Sequence, residues 1–387
     1  MSTAAAPPTA GPLAGVKVLE IAGIGPGPMC GMLLADLGAQ VLRLDRVEPS
    51  GLGIPRPARF DLLQRGKQQL KVDLKTEEGL ALSLSLAEHA DVLIEGFRPG
   101  TLERLGLGPE ACLARNPRLV YGRVTGYGQT GPLALTAGHD LNYIALSGAL
   151  HAIGRAGAAP TPPLNLLGDY AGGSLMLAFG VVSALLSARQ TGCGQVVDTA
   201  MTESVATLMT PFYGLFAAGL QNGPRGSNTL DSGAPFYDVY RCADDAYVSV
   251  APIETKFRQV LLERLGAEAL DLPDMDDPAT WPQARQQLAA LFATRTRAQW
   301  CALLEGSDAC FAPVLAPLEA PQHPHHIARG AFVEIDGITQ PLPAPRFSAT
   351  PPDIPQPPQP AGASAQAWAQ AWGVPSDLLR AAAAPQP

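Results

Sequence analysis

The first half of the chain is predicted to fold as an α/β domain, a parallel sheet with helices on both faces, and the rest as a smaller α+β domain with a returning C-terminal segment. Short β-rich runs alternate with helical patterns over the first third. Two long apolar helices follow, and beyond residue 227 the pattern changes to a hairpin and three helices. The expected boundaries are 11–226 for the large domain, 227–320 for the small one, and 321–387 for a Pro-rich return and closing helix associated with the large domain.

Taken in order, residues 16–21 are a short β-rich run, 29–37 an apolar helix and 41–44 a second strand. A charged segment ends in a strand-like run at 70–74, and 77–90 has helical periodicity. A strand at 91–94, a helix around 101–105 and a strand at 119–124 complete the alternation, so ligands should sit beyond the carboxyl ends of the strands. Residues 171–188 carry no charge and lie at the lower limit for a membrane span, and the apolar run 205–220 is broken by Pro211. Both read as buried helices of a soluble core. Residues 236–241 and 247–250 alternate about Ala243, Asp244 and Asp245 as a hairpin would. Helices are expected at 254–265, 281–294 and 296–305. The run 341–360 is too rich in proline for the interior of a sheet or helix and should wrap the surface in extended form, with 361–384 closing the chain as a helix.

The 387 residues, 47% hydrophobic and 16% charged, suit a compact globular protein of two or three domains. A net charge of −8 with no basic run argues against nucleic acid or an anionic membrane surface as a partner, so an anionic ligand must be met by a few placed arginines. Cys30, Cys112, Cys193, Cys242, Cys301 and Cys310 are scattered without metal-ligand spacing and read as reduced core thiols of a cytoplasmic protein. Residues 1–11 lack basic residues and an apolar stretch and read as a loose tail, and the final four residues match no recognised address.

The segment around His139 and Asp140, with Asp169 thirty residues after His139, places a base and a carboxylate beside glycines. Histidine takes or gives a proton near neutral pH, which makes it the commonest general acid/base. A lone His-Asp pair, however, is commonly a surface turn. Gly23, Gly25 and Gly27 invite a dinucleotide reading with Asp45 as the ribose acid, but the fingerprint needs a small residue where Pro28 or Cys30 stands. A tight turn starting a helix accounts for them better. His323, His325 and His326 have no acidic or cysteine partner near in sequence and read as a polar loop, so no metal is expected. Arg46, Lys75, Arg98 and Arg104 all fall where an α/β sheet presents its ligand edge, and their charges suit phosphates.

Five phrases taken together, residues 11–20, 35–39, 95–100, 137–143 and 233–237, resemble the alpha-methylacyl-CoA racemases of the family III CoA-transferase superfamily, in order from about residue 11 to 348. The resemblance implies a large Rossmann-like domain, a small domain and two interlocked chains, a homodimer. It also implies catalytic roles for His139 and Asp169, with Glu254 supporting the imidazole. CoA contacts then fall on Arg46, Val72, Asp73, Leu74, Lys75, Gly96, Phe97, Arg98, Arg104, Gly138, Asp140, Leu141, Asn142 and Tyr143. The acyl pocket is methionine-rich in some members, whereas here the helix after Val197 offers Met201 and Met209 among Leu, Val and Phe. The implied reaction is racemisation of 2-methyl-branched acyl-CoA thioesters by 1,1-proton transfer through an enolate, in lipid metabolism. It needs no cofactor, CoA being part of the substrate, and backbone N–H groups near Asp169 or at a helix start would stabilise the enolate oxygen. The alternative is a family III CoA-transferase in which Asp169 attacks the thioester as nucleophile. For Asp169 two effects oppose each other, since a helix start would stabilise its carboxylate and burial would raise its pKa.

Overall fold

The computed structural model describes residues 10–48, 50–267 and 271–383. Most of the expected N-terminal tail and the last four residues lie outside them. The described residues form two compact units, one from those within 10–147, 164–208 and 332–383, the other from those within 148–163 and 209–331.

The first unit is built on six parallel strands, β1 (Lys17–Ile21), β2 (Gln40–Asp45), β3 (Lys67–Lys71), β4 (Val92–Glu95), β5 (Val120–Thr125) and β6 (Gln195–Ala200). Their order is β3-β2-β1-β4-β5-β6, the doubly wound Rossmann order. Successive residues face opposite sides, as the pleat requires. Val18, Val41, Val92 and Val120 pack with Leu34, Leu177 and Val181. Leu19, Leu42, Leu93 and Tyr121 pack with Leu82, Leu86 and Trp372. The inner strands β1 and β4, covered on both faces, are mainly apolar, whereas β3 and β6 at the edges carry polar residues. The chain order reverses between β1 and β4, so the crevice beyond their carboxyl ends is the natural ligand site.

Buried ion pairs pin this sheet. Lys67 Nζ lies 2.6 Å from Glu20 Oε2 and also donates to the Pro28 carbonyl at 2.8 Å. Arg65 pairs with Asp36 at 2.5 Å and donates to Gln340 Oε1 and the Pro341 carbonyl, which fastens the returning segment. That segment opens as an antiparallel hairpin of two strands, Phe332–Ile335 and Ile338–Pro341. It then runs extended beside β3, the Gly66 N–H donating to the Gln356 carbonyl and the Gln69 side chain to the Gln359 carbonyl. The single closing helix expected at 361–384 is two helices, Ala363–Trp372 and Ser376–Ala383, and residue 384 lies outside the described residues. Gly373, at φ 109°, and Pro375 end the first of them.

The apolar run at 171–188 is the α-helix Met176–Thr191, stopped by Gly192 in the left-handed region. It continues directly from a ten-residue π-helix, Leu166–Leu175. Together, at 26 residues, they are long and apolar enough to cross a membrane by length and composition, yet Leu177, Val181, Ala184, Leu185 and Ala188 are buried in the core of this unit. Pro211 starts a new helix instead of kinking one, since Met201–Leu208 ends before it and Thr210–Ala217 takes it into its first turn.

In the second unit the expected hairpin is Asp238–Arg241 paired antiparallel with Tyr247–Val250, its turn made by Asp245 at φ 62°. A third strand, Phe311–Val314, completes the sheet. Its Pro313 masks the strand pattern in the sequence. The helices Thr255–Leu265, Trp281–Phe292 and Arg297–Leu304 cover it, with Tyr240 stacked on Phe292 at 4.9 Å.

The domain boundaries differ from those expected. Residues 148–163 and 209–226 belong to the second unit, and the return joins the first unit at Phe332 instead of 321. Side-chain bonds explain the first shift, because Arg225 donates to the carbonyls of His151 and Ala158 while Arg155 pairs with the buried Asp238. His323, 2.6 Å from Glu305, holds the stretch after 321 to the second unit. The cysteines are all free, but Cys193 and Cys310 are exposed and so are not core thiols.

Candidate active site

The carboxyl edge of the sheet gathers the sequence-predicted residues of the first unit. Arg46 follows β2, residues 72–75 follow β3, and residues 96–98 follow β4. Asp45 is in register with Lys71, so Arg46 and Val72 leave adjacent strands side by side. The Arg46 guanidinium sits 5.7 Å from the centre of the Phe97 ring, a cation–π contact that reaches across β1. Arg46, Lys75, Arg98 and Arg104 are all exposed, which leaves a row of cations facing solvent. Val72, in contrast, is buried, its N–H donating to the Asp45 carbonyl. Asp73 turns the chain after β3, accepting the Lys75 N–H at 2.9 Å, and Leu74 packs against the core.

Beneath this row lies Glu95, whose Oε2 accepts the Phe97 N–H at 2.6 Å and whose Oε1 faces Arg123 Nε at 3.1 Å. Burial pushes its carboxyl up to about 7 against the pull of that N–H and of Arg123.

His139 is the residue before the helix Asp140–Leu146, exposed, with its N–H donating to Asn142 Oδ1 at 3.0 Å. Asp169 lies in the first turn of the π-helix, half-buried. One side chain joins the two segments. Asp140 is only 4% exposed and its Oδ2 accepts the Asp169 N–H at 2.7 Å. Gly168 is required there, because an added Cβ would lie 2.6 Å from the same oxygen. Asp140 Oδ2 is therefore spent inside the protein while its buried Oδ1 has no hydrogen-bond partner among the described residues, and the Tyr143 hydroxyl is spent on the Gly138 carbonyl, to which it donates. Leu141 and Asn142 stay exposed beside His139.

The opposing effects on Asp169 resolve in favour of burial. Desolvation raises its pKa and the nearby Asp140 charge raises it further, while the hydrogen bond from Asn165 and the charge of His139 pull it down, with a net rise. The result is a carboxylate more basic than usual, electrostatically coupled to an exposed imidazole. The Tyr143 hydroxyl, raised chiefly by burial, feels the charges of both Asp169 and Arg98. Because the Asp169 N–H is already given to Asp140, it is not a donor for a ligand oxygen.

Three contributors were not assigned to the site from the sequence. Gly25, at φ 66°, passes so close to Asp169 that an added Cβ would sit 3.0 Å from Oδ2. The glycine-rich turn after β1 thus makes room for a carboxylate, not for a dinucleotide. Asn165 donates to Asp169 Oδ2 at 3.1 Å. The buried Ser174 Oγ lies 2.9 Å from the Pro26 carbonyl and 3.0 Å from that of Asp169, which ties the turn to the π-helix. Long π-helical stretches are rare and concentrate at functional sites.

Glu254 belongs to the second unit, where it is exposed immediately before the helix Thr255–Leu265. Among the described residues no group of three or more His, Cys, Asp or Glu is placed to hold a metal ion.

The chain is 45% identical to the alpha-methylacyl-CoA racemase of Mus musculus over 341 residues, 88% of this chain and 87% of that one. It is 44% identical to the alpha-methylacyl-CoA racemase of Homo sapiens, again over 88% of this chain and 87% of the relative. A CAIB/BAIF family protein from Brucella suis has the same fold, with a TM-score of 0.79 and 26% identity over 94% of this chain and all of that one. Residues 13–364, which take in the cationic edge, His139, Asp169 and Glu254, match the sequence profile of one family: the chain belongs to CoA-transferase family III.

Proposed function

We propose that the chain racemises 2-methyl-branched acyl-CoA thioesters by 1,1-proton transfer through an enolate. The observation that carries this reading is Asp169, a half-buried carboxylate of raised pKa within electrostatic reach of the exposed His139. The thioester acidifies the proton on C2 only weakly. A base on one face of C2 removes it, and the C2–H electrons move into the thioester carbonyl to give the enolate. A protonated acid on the other face returns a proton to C2. His139 and Asp169 supply the two groups, each base in one direction and acid in the other. No cofactor or metal enters the scheme, and CoA is held as part of the substrate by Arg46, Lys75, Arg98 and Arg104.

The working unit in this reading is a homodimer. The helix Met176–Thr191 buries one side, while Phe179 on the other is 73% exposed and Leu175, Val182 and Leu186 line up with it at helical spacing. A second copy of the chain covers that stripe and brings a second Glu254 to the site. Neither a membrane nor a nucleic acid is needed as partner, and the protein works in the cytoplasm on lipid-derived substrates. Mixing His139→Ala with Glu254→Ala chains by reversible unfolding should restore activity if Glu254 acts from the partner, and none if it acts within its own chain.

The reading is tested by following an enantiopure 2-methylacyl-CoA by chiral chromatography. Approach to an equal mixture with CoA still attached supports it. Transfer of CoA to a free carboxylic acid, with hydroxylamine trapping an acyl group on Asp169, would replace it with the transferase reaction.

A further inference from the structure

The CoA arginines stand exposed on loops or a short helix, yet binding a multiply charged nucleotide needs them held in place before it arrives. One buried side chain reaches both segments that carry them, the loop after β2 and the connection after β4. Glu95 is 1% exposed at the carboxyl end of β4, and its Oε2 fixes the loop bearing Arg98 through the Phe97 N–H at 2.6 Å. Phe97 so fixed presents its ring to Arg46 at 5.7 Å. Oε1 faces Arg123 Nε at 3.1 Å, and Arg123 Nη2 reaches Glu103 Oε1 at 2.8 Å on the short helix Thr101–Arg104 that carries Arg104. Strand pairing sets this chain of contacts, since Glu95 and Arg123 are register partners across β4 and β5. We infer that Glu95 is a positioning residue for the nucleotide half of CoA, orienting Arg46, Arg98 and Arg104 through Phe97 and Arg123. The inference rests on the CoA-thioester reading above and adds to it a residue that touches no part of the substrate. A carboxylate in this position has a plain alternative role, a buried ion pair that only stabilises the sheet edge.

The two roles separate on a pair of substrates in the full-length protein, a 2-methylacyl-CoA and the matching pantetheine thioester, which lacks the nucleotide. Glu95→Gln keeps an acceptor for the Phe97 N–H but removes the charge that holds Arg123. It should raise KM for the CoA ester roughly ten-fold, with a smaller change in kcat and a smaller change for the pantetheine ester, the signature of lost binding energy at a remote group. Phe97→Leu removes only the face under Arg46 and should move the same ratio in the same direction, which keeps the test available if Glu95→Gln does not fold. Arg104→Ala, a direct contact, calibrates the assay. If Arg104→Ala discriminates between the esters while Glu95→Gln and Phe97→Leu weaken both alike, or lower only Tm, Glu95 is a structural ion pair and the inference is overturned. If Arg104→Ala itself treats the two esters alike, the nucleotide binds elsewhere and the CoA assignment beneath the inference falls with it.

Discussion

His139→Ala and Asp169→Asn should each lower kcat for racemisation by about 10²–10⁴-fold, the range for a positioned general acid or base. The two losses are expected to differ in kind. Inversion needs a group on each face of C2, so either variant should slow net interconversion of enantiomers by that factor. Each should still exchange the α-proton slowly from the face served by its surviving base. Both side chains tolerate the changes, His139 because it is exposed and Asp169 because Asn can still accept from Asn165. KM values unchanged from the wild type in both variants would place the loss in the chemical step and not in binding. Parallel loss of exchange on both faces in one variant would show that a single residue does all the proton transfer.

The second large effect belongs to Asp140. Asp140→Ala leaves the Asp169 N–H without its partner and should cost about 1–3 kcal/mol of stability, with kcat falling because the carboxylate is no longer anchored. Asp140→Asn preserves the acceptor and removes only the charge. The negative charge of Asp140 helps to raise the Asp169 pKa, so its removal lets Asp169 give up its proton at lower pH. The acid limb of kcat/KM, in the direction that uses Asp169 as base, should therefore move to lower pH than in the wild type. A limb that does not move would mean that the Asp140 charge has no effect on Asp169.

The parallel sheet and its ligand edge were legible from residue types alone, because strands buried on both faces must be apolar and helices between them must be amphipathic. The placement of Arg46, Arg98 and Arg104 follows from strand ends and needs no tertiary information. Other features depended on contacts between distant segments. Asp140 sits in a phrase rich in polar residues and reads as surface, and only its approach to the Asp169 N–H shows it to be buried. The glycines after β1 read as a tight turn starting a helix, which the helix Pro26–Asp36 bears out, whereas the close pass of Gly25 against Asp169 depends on the π-helix, which leaves no mark in apolar periodicity. The strand Phe311–Val314 was hidden by Pro313, and the closing helix was broken in two by Gly373 and Pro375 at positions that composition alone treated as neutral. Membership of 148–163 in the second unit rests on Arg155 and Arg225, single side chains with no periodic signature.

The central claim is that configuration is lost because the proton on C2 is removed and replaced through His139 and Asp169. Incubating one enantiomer of a 2-methylacyl-CoA in D₂O and following C2 by NMR and mass spectrometry tests it most directly. Deuterium should enter C2 as inversion proceeds, with the thioester intact and no acyl group attached to the protein. Inversion without deuterium, or CoA exchange with an acyl group trapped on Asp169, would contradict it.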